Sequence, residues 1–235
     1  MRSSFKGLAG WLKNSFIDFP GTVSTVLFFS GCNLRCPYCH NYNFVTQPED
    51  ISYRSSEIWD FLEKRRRVME GVVFSGGEPT LHPHIKTLIE EIHELRYRVL
   101  LDTNGLLPEM IELFAPDYLA VDIKTEPRLY GSLLGAPFDN VAERLKRSLA
   151  MVKNMKNSAE VRITVAPAIV TEEVVCNLRP LLEGVQNVFL QPVNLRHEIL
   201  VPDFFPSQDP IPMNEVKYFQ ELLSPVVGRC AIRNE

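Results

Sequence analysis

Residues 23–41 read VSTVLFFSGCNLRCPYCHN, an apolar, β-branched run that passes directly into a loop with three cysteines. Five more short apolar runs follow, at residues 71–74, 98–101, 118–121, 161–165 and 187–190. Patterns typical of helices lie near residues 55–69, 83–95, 108–114, 139–154 and 174–183. Strands that alternate with helices predict an α/β fold with a parallel sheet and right-handed crossovers.

Small or polar residues accompany the ends of these runs. The strings are Ser75-Gly76-Gly77-Glu78, Asp102-Thr103-Asn104-Gly105 and Asp122-Ile123-Lys124, while Arg162 lies within the fifth run and Asn194 follows the sixth. The carboxyl ends of parallel strands share one face, where ligands bind, both in a barrel and in an open doubly wound sheet. Six strand–helix units predict a partial (β/α)6 barrel of the TIM type, since a closed barrel needs eight.

The predicted organisation is a single domain over residues 1–235. Its core covers residues from about 20 to 195, and a C-terminal extension over about 196–235 adds one helix and at most one closing strand. The net charge of −4 argues against a nucleic-acid-binding surface. No apolar stretch approaches the ~18 residues of a membrane span, and the N-terminal residues lack the apolar core of a signal peptide. We therefore expect a cytoplasmic protein.

The loop with three cysteines is compatible with four kinds of chemistry. Cys36-Pro37-Tyr38-Cys39 alone looks like a glutaredoxin active site, and with His40 it matches the attachment pattern of a c-type haem. Cys32, Cys36, Cys39 and His40 could also bind zinc. The fourth reading is an iron–sulfur cluster bound by Cys-x3-Cys-x2-Cys.

The iron–sulfur reading explains most of the loop. Haem attachment normally needs export, a glutaredoxin is far shorter than this chain, and neighbouring ligands Cys39 and His40 would be strained around one tetrahedral zinc. Three thiolates suit iron, and three ligands on a four-iron cluster leave one iron open for catalysis. Cys176 and Cys230 have no cysteine partner at ligand spacing, so we expect them to be packed thiols.

The cysteine spacing, with aromatic Tyr38 before the third cysteine, resembles the signature of radical S-adenosylmethionine (SAM) enzymes. Gly76-Gly77-Glu78-Pro79 resembles the second motif of that superfamily. The resemblance implies a partial barrel in which Cys32, Cys36 and Cys39 hold a [4Fe–4S] cluster that cleaves SAM reductively. It also implies that Ser75, Gly76, Gly77 and Glu78 form the loop that contacts the amino group of SAM.

Other SAM contacts follow from the resemblance to activators of glycyl radical enzymes. A carboxylate at Asp102 would hold the ammonium of SAM, and Lys124 would pair with its carboxylate. Asp122 is assigned to the same site, and it would line a monovalent-cation site together with Asp102 and Thr103. Arg162 matches an arginine near the ribose and carboxylate of SAM. Asn194 stands where relatives carry a histidine.

The chain resembles one subgroup of these activators along most of its length. Residues 15–21, SFIDFPG, followed by the cysteine loop, resemble the activating proteins of anaerobic ribonucleoside-triphosphate reductase. This implies hydrogen abstraction from a glycine of a partner glycyl radical enzyme, with reduced flavodoxin or ferredoxin as the electron donor. The alternatives are a small-molecule radical SAM enzyme of the 7-carboxy-7-deazaguanine synthase type and a non-catalytic metal-binding scaffold.

Overall fold

A computed structural model describes residues 2–46, 53–205, 207, 209 and 211–233. The chain divides into two compact units. The first comprises Met1–Cys32, Asn41–Thr103 and Glu109–Leu119, and the second comprises Asn33–His40, Asn104–Pro108 and Ala120–Glu235. The prediction of a single domain over residues 1–235 is not tested by this division and stays a prediction.

The first unit is built on an antiparallel hairpin followed by parallel strands. β1 pairs antiparallel with β2, and β2, β3 and β4 are parallel neighbours. The strands are β1 (Leu8–Ser15), β2 (Ser24–Phe29), β3 (Gly71–Gly76) and β4 (Arg98–Thr103). The helices are α1 (Tyr42–Thr46), α2 (Ser55–Arg65), α3 (Ile85–Glu94) and α4 (Pro108–Phe114), whose first residue belongs to the second unit. α3 buries Ile85, Leu88, Ile89 and Ile92, which share one face because they recur every three or four residues.

The second unit continues the alternation of strands and helices. Its strands are β5 (Tyr118–Ile123), whose first two residues belong to the first unit, β6 (Ala159–Val165), β7 (Asn187–Pro192) and β8 (Arg229–Ile232). Its helices are α5 (Tyr130–Leu134), α6 (Val141–Met155), α7 (Glu172–Leu182) and α8 (Met213–Leu223). β7 lies between β6 and β8 and is parallel to both. The hydroxyl of Thr171 accepts from the Val174 amide and so caps α7. The helix therefore begins at Glu172, two residues before the predicted start.

The six apolar runs are confirmed as strands β2 to β7. Their carboxyl ends carry the polar strings singled out from the sequence, so the parallel strands of each unit bring these strings to a common edge. The extension adds one helix, α8, and one strand, β8, as predicted. β1, α1 and α5 were not predicted. No helix in the described part of the chain is both long and apolar enough to cross a membrane.

Candidate functional site

In the first unit, the turn after β3 lies directly against the backbone that leads into Cys32. The Gly77 amide donates to the Phe29 carbonyl and the Glu78 amide donates to the Gly31 carbonyl, each over 2.8 Å. A Cβ added at Gly76 would lie 2.4 Å from the Phe29 nitrogen, and one at Gly77 would lie 2.0 Å from the Gly31 oxygen. The two glycines are therefore required by contact between two segments of the chain. Their contact with SAM stays a prediction.

Glu78 is buried, with 1% of its surface exposed. Its Oε1 accepts hydrogen bonds from the amide and hydroxyl of Thr80 and, over 2.7 Å, from the hydroxyl of Thr103 at the end of β4. The Thr80 amide contact also starts the short helical turn Pro79–Leu81. The carboxylate of Glu78 thus joins the turn after β3 to the end of β4. We call Glu78, Thr80 and Thr103 the Glu78 cluster.

Two more predicted residues meet beside the Glu78 cluster. The Ser75 hydroxyl donates to Asp102 Oδ2 over 2.9 Å, and both residues are half-buried at the carboxyl ends of β3 and β4. A carboxylate in this position is chemically suited to a ligand ammonium. Asn41, which follows the cysteine loop, donates to the Gly76 carbonyl over 3.3 Å and was missed by the sequence analysis.

In the second unit, Cys36 is buried beside a charged pair. Burial raises the pKa of its thiol to about 11, although the nearby Lys124 ammonium acts in the opposite direction. Such a thiol is protonated at neutral pH, and it must lose this proton to bind a metal, because the thiolate is the ligand form. Cys39 is half-buried, and its amide donates to the Cys36 carbonyl over 3.0 Å. Cys32, which ends the first segment of the first unit, is also half-buried.

Lys124 and Asp122 form an ion pair with each other. Lys124 Nζ donates to Asp122 Oδ2 over 2.7 Å. Burial favours the neutral amine, but the Asp122 carboxylate together with Tyr38 and Cys36 outweighs it, and the pKa of Lys124 is raised well above its usual value. Asp122 Oδ1 is buried and accepts no hydrogen bond from the residues that the structure describes.

Two tyrosines lie close to the Asp122–Lys124 ion pair. Burial raises the pKa of Tyr38 well above its usual value, and the neighbouring Cys36 adds to the effect. Tyr130 is buried, and its hydroxyl accepts from the Lys124 amide over 2.9 Å. Tyr130 fixes the backbone of the turn after β5 and was not identified from the sequence.

The cysteine loop has further contacts within the second unit. Asn104 Nδ2 donates to Asn33 Oδ1 over 2.7 Å. His40 Nε2 donates to the Asn194 carbonyl over 2.9 Å, and the Val201 amide donates to the Pro37 carbonyl over 3.0 Å. The predicted residue Asn194 therefore lies beside the loop, but its side chain accepts from the Arg196 amide. Asn104 belongs to the polar string after β4, so the signal that could have identified it was present in the sequence.

The remaining predicted residues are placed as follows. Arg162 Nε donates to Glu160 Oε1 over 2.8 Å on the same strand. Cys176 is exposed, so the expectation of a packed thiol is wrong there, because it lies on the outer face of α7; Cys230 is half-buried as expected. Among the described residues, no group of three or more His, Cys, Asp and Glu side chains is arranged to hold a single metal ion. The ligand set of three cysteines stays a prediction.

The sequence model of the Radical SAM superfamily matches residues 26–178, which is more than half of the chain. A protein of Methanocaldococcus jannaschii, provisionally named a glycyl-radical enzyme activating enzyme, is 32% identical over 179 residues, or 71% of each chain. The 7-carboxy-7-deazaguanine synthase of Methanopyrus kandleri is 28% identical over 204 residues, 76% of this chain and 74% of its own.

Solved structures agree in fold. A structure of TYW1 with a lysine-pyruvate adduct bound superposes with a TM-score of 0.63 and 17% identity, covering 88% of this chain and 76% of its own. This likeness confirms the predicted α/β fold class of the partial-barrel type.

The donors described above fit the cofactors of such proteins. The buried thiol of Cys36 offers a soft ligand for iron, and the buried oxygen of Asp122 offers an acceptor for a ligand with positive or hydrogen-bonding groups. Lys124 offers a cation for a ligand carboxylate. On the sequence match and the fold, the chain belongs to the radical SAM superfamily, whose members bind a [4Fe–4S] cluster and SAM.

Proposed function

We propose that this chain activates a glycyl radical enzyme by removing a hydrogen atom from one glycine of that partner. The observation that carries the proposal is the similarity, over most of both chains, to the Methanocaldococcus jannaschii relative named for that activity. The subgroup resemblance of residues 15–21 and of the cysteine loop supports the same assignment and favours anaerobic ribonucleoside-triphosphate reductase as the partner.

Cys32, Cys36 and Cys39 hold the cluster in this proposal, and the cluster supplies the electron that cleaves SAM when both are bound. The chain's own residues bind and orient SAM. Lys124 contacts its carboxylate, and the carboxylates of Asp102 and Asp122 are suited to its ammonium or to a monovalent cation. The turn Ser75–Gly76–Gly77 contributes backbone groups, while Glu78 holds that turn in position through Thr80 and Thr103.

The overall reaction balances with one external electron. Reduced flavodoxin or ferredoxin donates the electron, SAM is converted to methionine, and the hydrogen atom from the glycine Cα ends on 5′-deoxyadenosine. The glycine is left as a carbon-centred radical on the partner enzyme. The protein's part is to bind and orient the reactants and to exclude competing reactions.

A second candidate function is supported by the Methanopyrus kandleri relative, which matches a slightly larger share of the chain at lower identity. In that case the chain would act on a small molecule as a 7-carboxy-7-deazaguanine synthase. A requirement for magnesium and tight binding of a pterin would favour this function, whereas an activase needs a protein substrate.

An anaerobic assay with the cognate reductase tests the proposal. We expect the protein, SAM and a reductant to produce a glycine-centred doublet on the reductase in electron paramagnetic resonance, together with 5′-deoxyadenosine. Cys36→Ala should abolish both signals because it removes a cluster ligand, and Cys176→Ala should retain them because Cys176 is exposed on α7.

The possible outcomes separate the candidates. A doublet on another glycyl radical enzyme, with none on the cognate reductase, would overturn the subgroup but keep the activase mechanism. Consumption of a pterin with no glycyl radical on any partner would overturn the activase and favour the synthase. Activity that survives Cys36→Ala but not Cys176→Ala would overturn the ligand assignment.

A further inference from the structure

Strand β6 in the second unit has one face that carries polar side chains. Glu160, Arg162 and Thr164 alternate with buried apolar residues along this strand, so their side chains share one face. Glu160 is 1% exposed, and the side chain of Arg162 is 14% exposed. Arg162 is the residue of this face that the family resemblance places near the ribose and carboxylate of SAM, and its Nε donates to Glu160 Oε1 over 2.8 Å.

A second arginine reaches the same carboxylate from the C-terminal extension. Arg233 directly follows β8, and it donates to Glu160 from Nη1 to Oε1 over 2.9 Å and from Nη2 to Oε2 over 3.2 Å. Its guanidinium lies 3.8 Å above the ring of Phe189, on the strand between β6 and β8. Arg233 therefore crosses the intervening strand to form a two-bond contact with a buried carboxylate.

The charges explain why both arginines matter to Glu160. Burial acts to raise the pKa of this carboxyl, but the contacts of Arg233 and Arg162 outweigh it and lower the pKa below the usual value. Glu160 is therefore ionised at neutral pH. Since Arg233 occupies both carboxylate oxygens, it limits the ways in which Arg162 can approach them. Without Arg233, Arg162 could turn to form the two-bond contact itself and move its guanidinium group.

We propose that Arg233 is a positioning residue that acts through Glu160 to hold Arg162 in the orientation that binds SAM. The inference rests on the proposed role of Arg162 in SAM binding. It gives the C-terminal extension a part in the SAM site, although Arg233 is 71 residues beyond Arg162 in the chain. Arg233 itself is not assigned a contact with SAM.

The chain offers a matched control for this proposal. Arg229 begins β8, the strand that Arg233 directly follows, and its guanidinium is 5.6 Å from the centre of the same Phe189 ring. Arg233→Met and Arg229→Met each remove one positive charge and one contact with that ring. Of Arg229 and Arg233, only Arg233 has a described contact with Glu160, so a difference between the two variants reports on that contact.

The test is a double-variant cycle for SAM affinity, measured by equilibrium titration of the cluster-loaded protein without turnover. Arg162→Met and Arg233→Met should each weaken SAM binding about tenfold or more, because each disturbs a hydrogen bond to a charged group. The variant with both changes should bind no worse than Arg162→Met alone, since Arg233 acts through Arg162. Arg229→Met should match the unchanged protein, and iron content should be the same in all variants.

Other outcomes overturn the inference in distinguishable ways. Equal affinity in Arg233→Met and Arg229→Met, with a loss in Arg162→Met, shows that Arg233 does not position Arg162. Losses that add in the double variant show that Arg233 acts independently of Arg162. Unchanged affinity in Arg162→Met removes the basis of the inference, while glycyl radical formation on the cognate reductase by the unchanged protein still tests the proposed function separately.

A conservative variant keeps the proposal testable if Arg233→Met does not fold. Arg233→Lys keeps the charge but cannot form the two-bond contact, so it should weaken SAM binding less than Arg233→Met. If Arg233→Met is too unstable to titrate, Arg233→Lys in the same cycle decides the matter. Affinity equal to that of the unchanged protein would then overturn the proposal.

Discussion

The two units hold their buried carboxylates with different partners. In the first unit, Glu78 accepts hydrogen bonds from the neutral hydroxyl and amide groups of Thr80 and Thr103. In the second unit, Glu160 is held by the guanidinium groups of Arg162 and Arg233. The strength of a hydrogen bond from a neutral donor depends mainly on the distance and angle between the two groups. The strength of an ion pair depends in addition on both partners staying ionised. The first unit should therefore respond mainly to changes of shape and the second to changes of charge and pH.

The largest effect should come from a change of shape in the first unit. Gly77→Ala places a Cβ 2.0 Å from the Gly31 oxygen. The chain must move to relieve this contact, so the free energy of unfolding should fall by about 3 kcal/mol, as for overpacked interiors. Chemical denaturation under anaerobic conditions measures this change.

A helical glycine provides the control for Gly77→Ala. Gly131 lies in α5, and a Cβ added there has no atom within 4 Å. Gly131→Ala should therefore raise the free energy of unfolding by about 0.5 kcal/mol, because alanine is the better helix former. If the two alanine variants unfold at the same denaturant concentration, the Gly31 contact does not constrain the first unit.

An intermediate effect should come from a change of charge in the second unit. Glu160→Gln leaves two arginines facing a neutral amide, and the free energy of unfolding at pH 7 should fall by about 2 kcal/mol. The value is below that for a fully buried ion pair because the side chain of Arg233 is 34% exposed. Denaturation at a series of pH values measures the effect.

The pH dependence has a definite sign. Because the pKa of Glu160 is lowered in the folded protein from its ordinary 4.5, the carboxylate contributes its full stability only above that value. This contribution is lost as the pH falls through the lowered pKa, so the difference between Glu160→Gln and the unchanged protein should shrink in acid. Glu183→Gln, at an exposed carboxylate after α7, should show no such difference. A gap that stays constant from pH 7 to acid would contradict the assignment.

The smallest effect should come from one hydrogen bond in the first unit, between a neutral hydroxyl donor and the Glu78 carboxylate. Thr103→Val keeps the shape of the side chain but removes the donor to Glu78 Oε1. The other contacts of Glu78 remain, so the free energy of unfolding should fall by about 1.5 kcal/mol, the lower end for a hydrogen bond to a charged group. Thr87→Val, at an exposed position of α3, is the control. If Thr103→Val and Thr87→Val lower the free energy of unfolding equally, the hydrogen bond from Thr103 does not stabilise the Glu78 cluster.

The fold could be predicted from the sequence where a segment has one clear hydrophobic pattern. Strands β2 to β7 are continuous apolar runs followed by polar turns, and the structure places each of them within a few residues of its predicted position. β1 was missed because LAGWLKNS contains a glycine and three consecutive exposed residues, and its register on β2 is irregular. α1 and α5 have five residues each, which is too short for a helical period to be recognised.

The sequence predicted residues for the site but not the contacts among them. Asp122 lies in β5 and Lys124 directly follows that strand, yet the sequence predicted only ligand contacts for the two residues and not their ion pair. The contact of Arg233 with Glu160 depends on β7 lying between β6 and β8, which spans 73 residues of chain. Asn33 and Asn104 are 71 residues apart. Such contacts are set by strand order, and no local pattern encodes them.

The close approach of Gly31 and Gly77 also bears on how the sheet assembles correctly. β2 and β3 pair in parallel with Phe29 opposite Gly76. A slip by one residue in one direction would put Ser75 where Gly76 belongs, and a slip in the other would put Glu78 where Gly77 belongs. Either side chain would collide with the backbone ahead of Cys32, so misregistered pairings are penalised during folding. The glycine pair thereby selects the one alignment of β2 and β3 that leaves the backbone ahead of Cys32 in its native position.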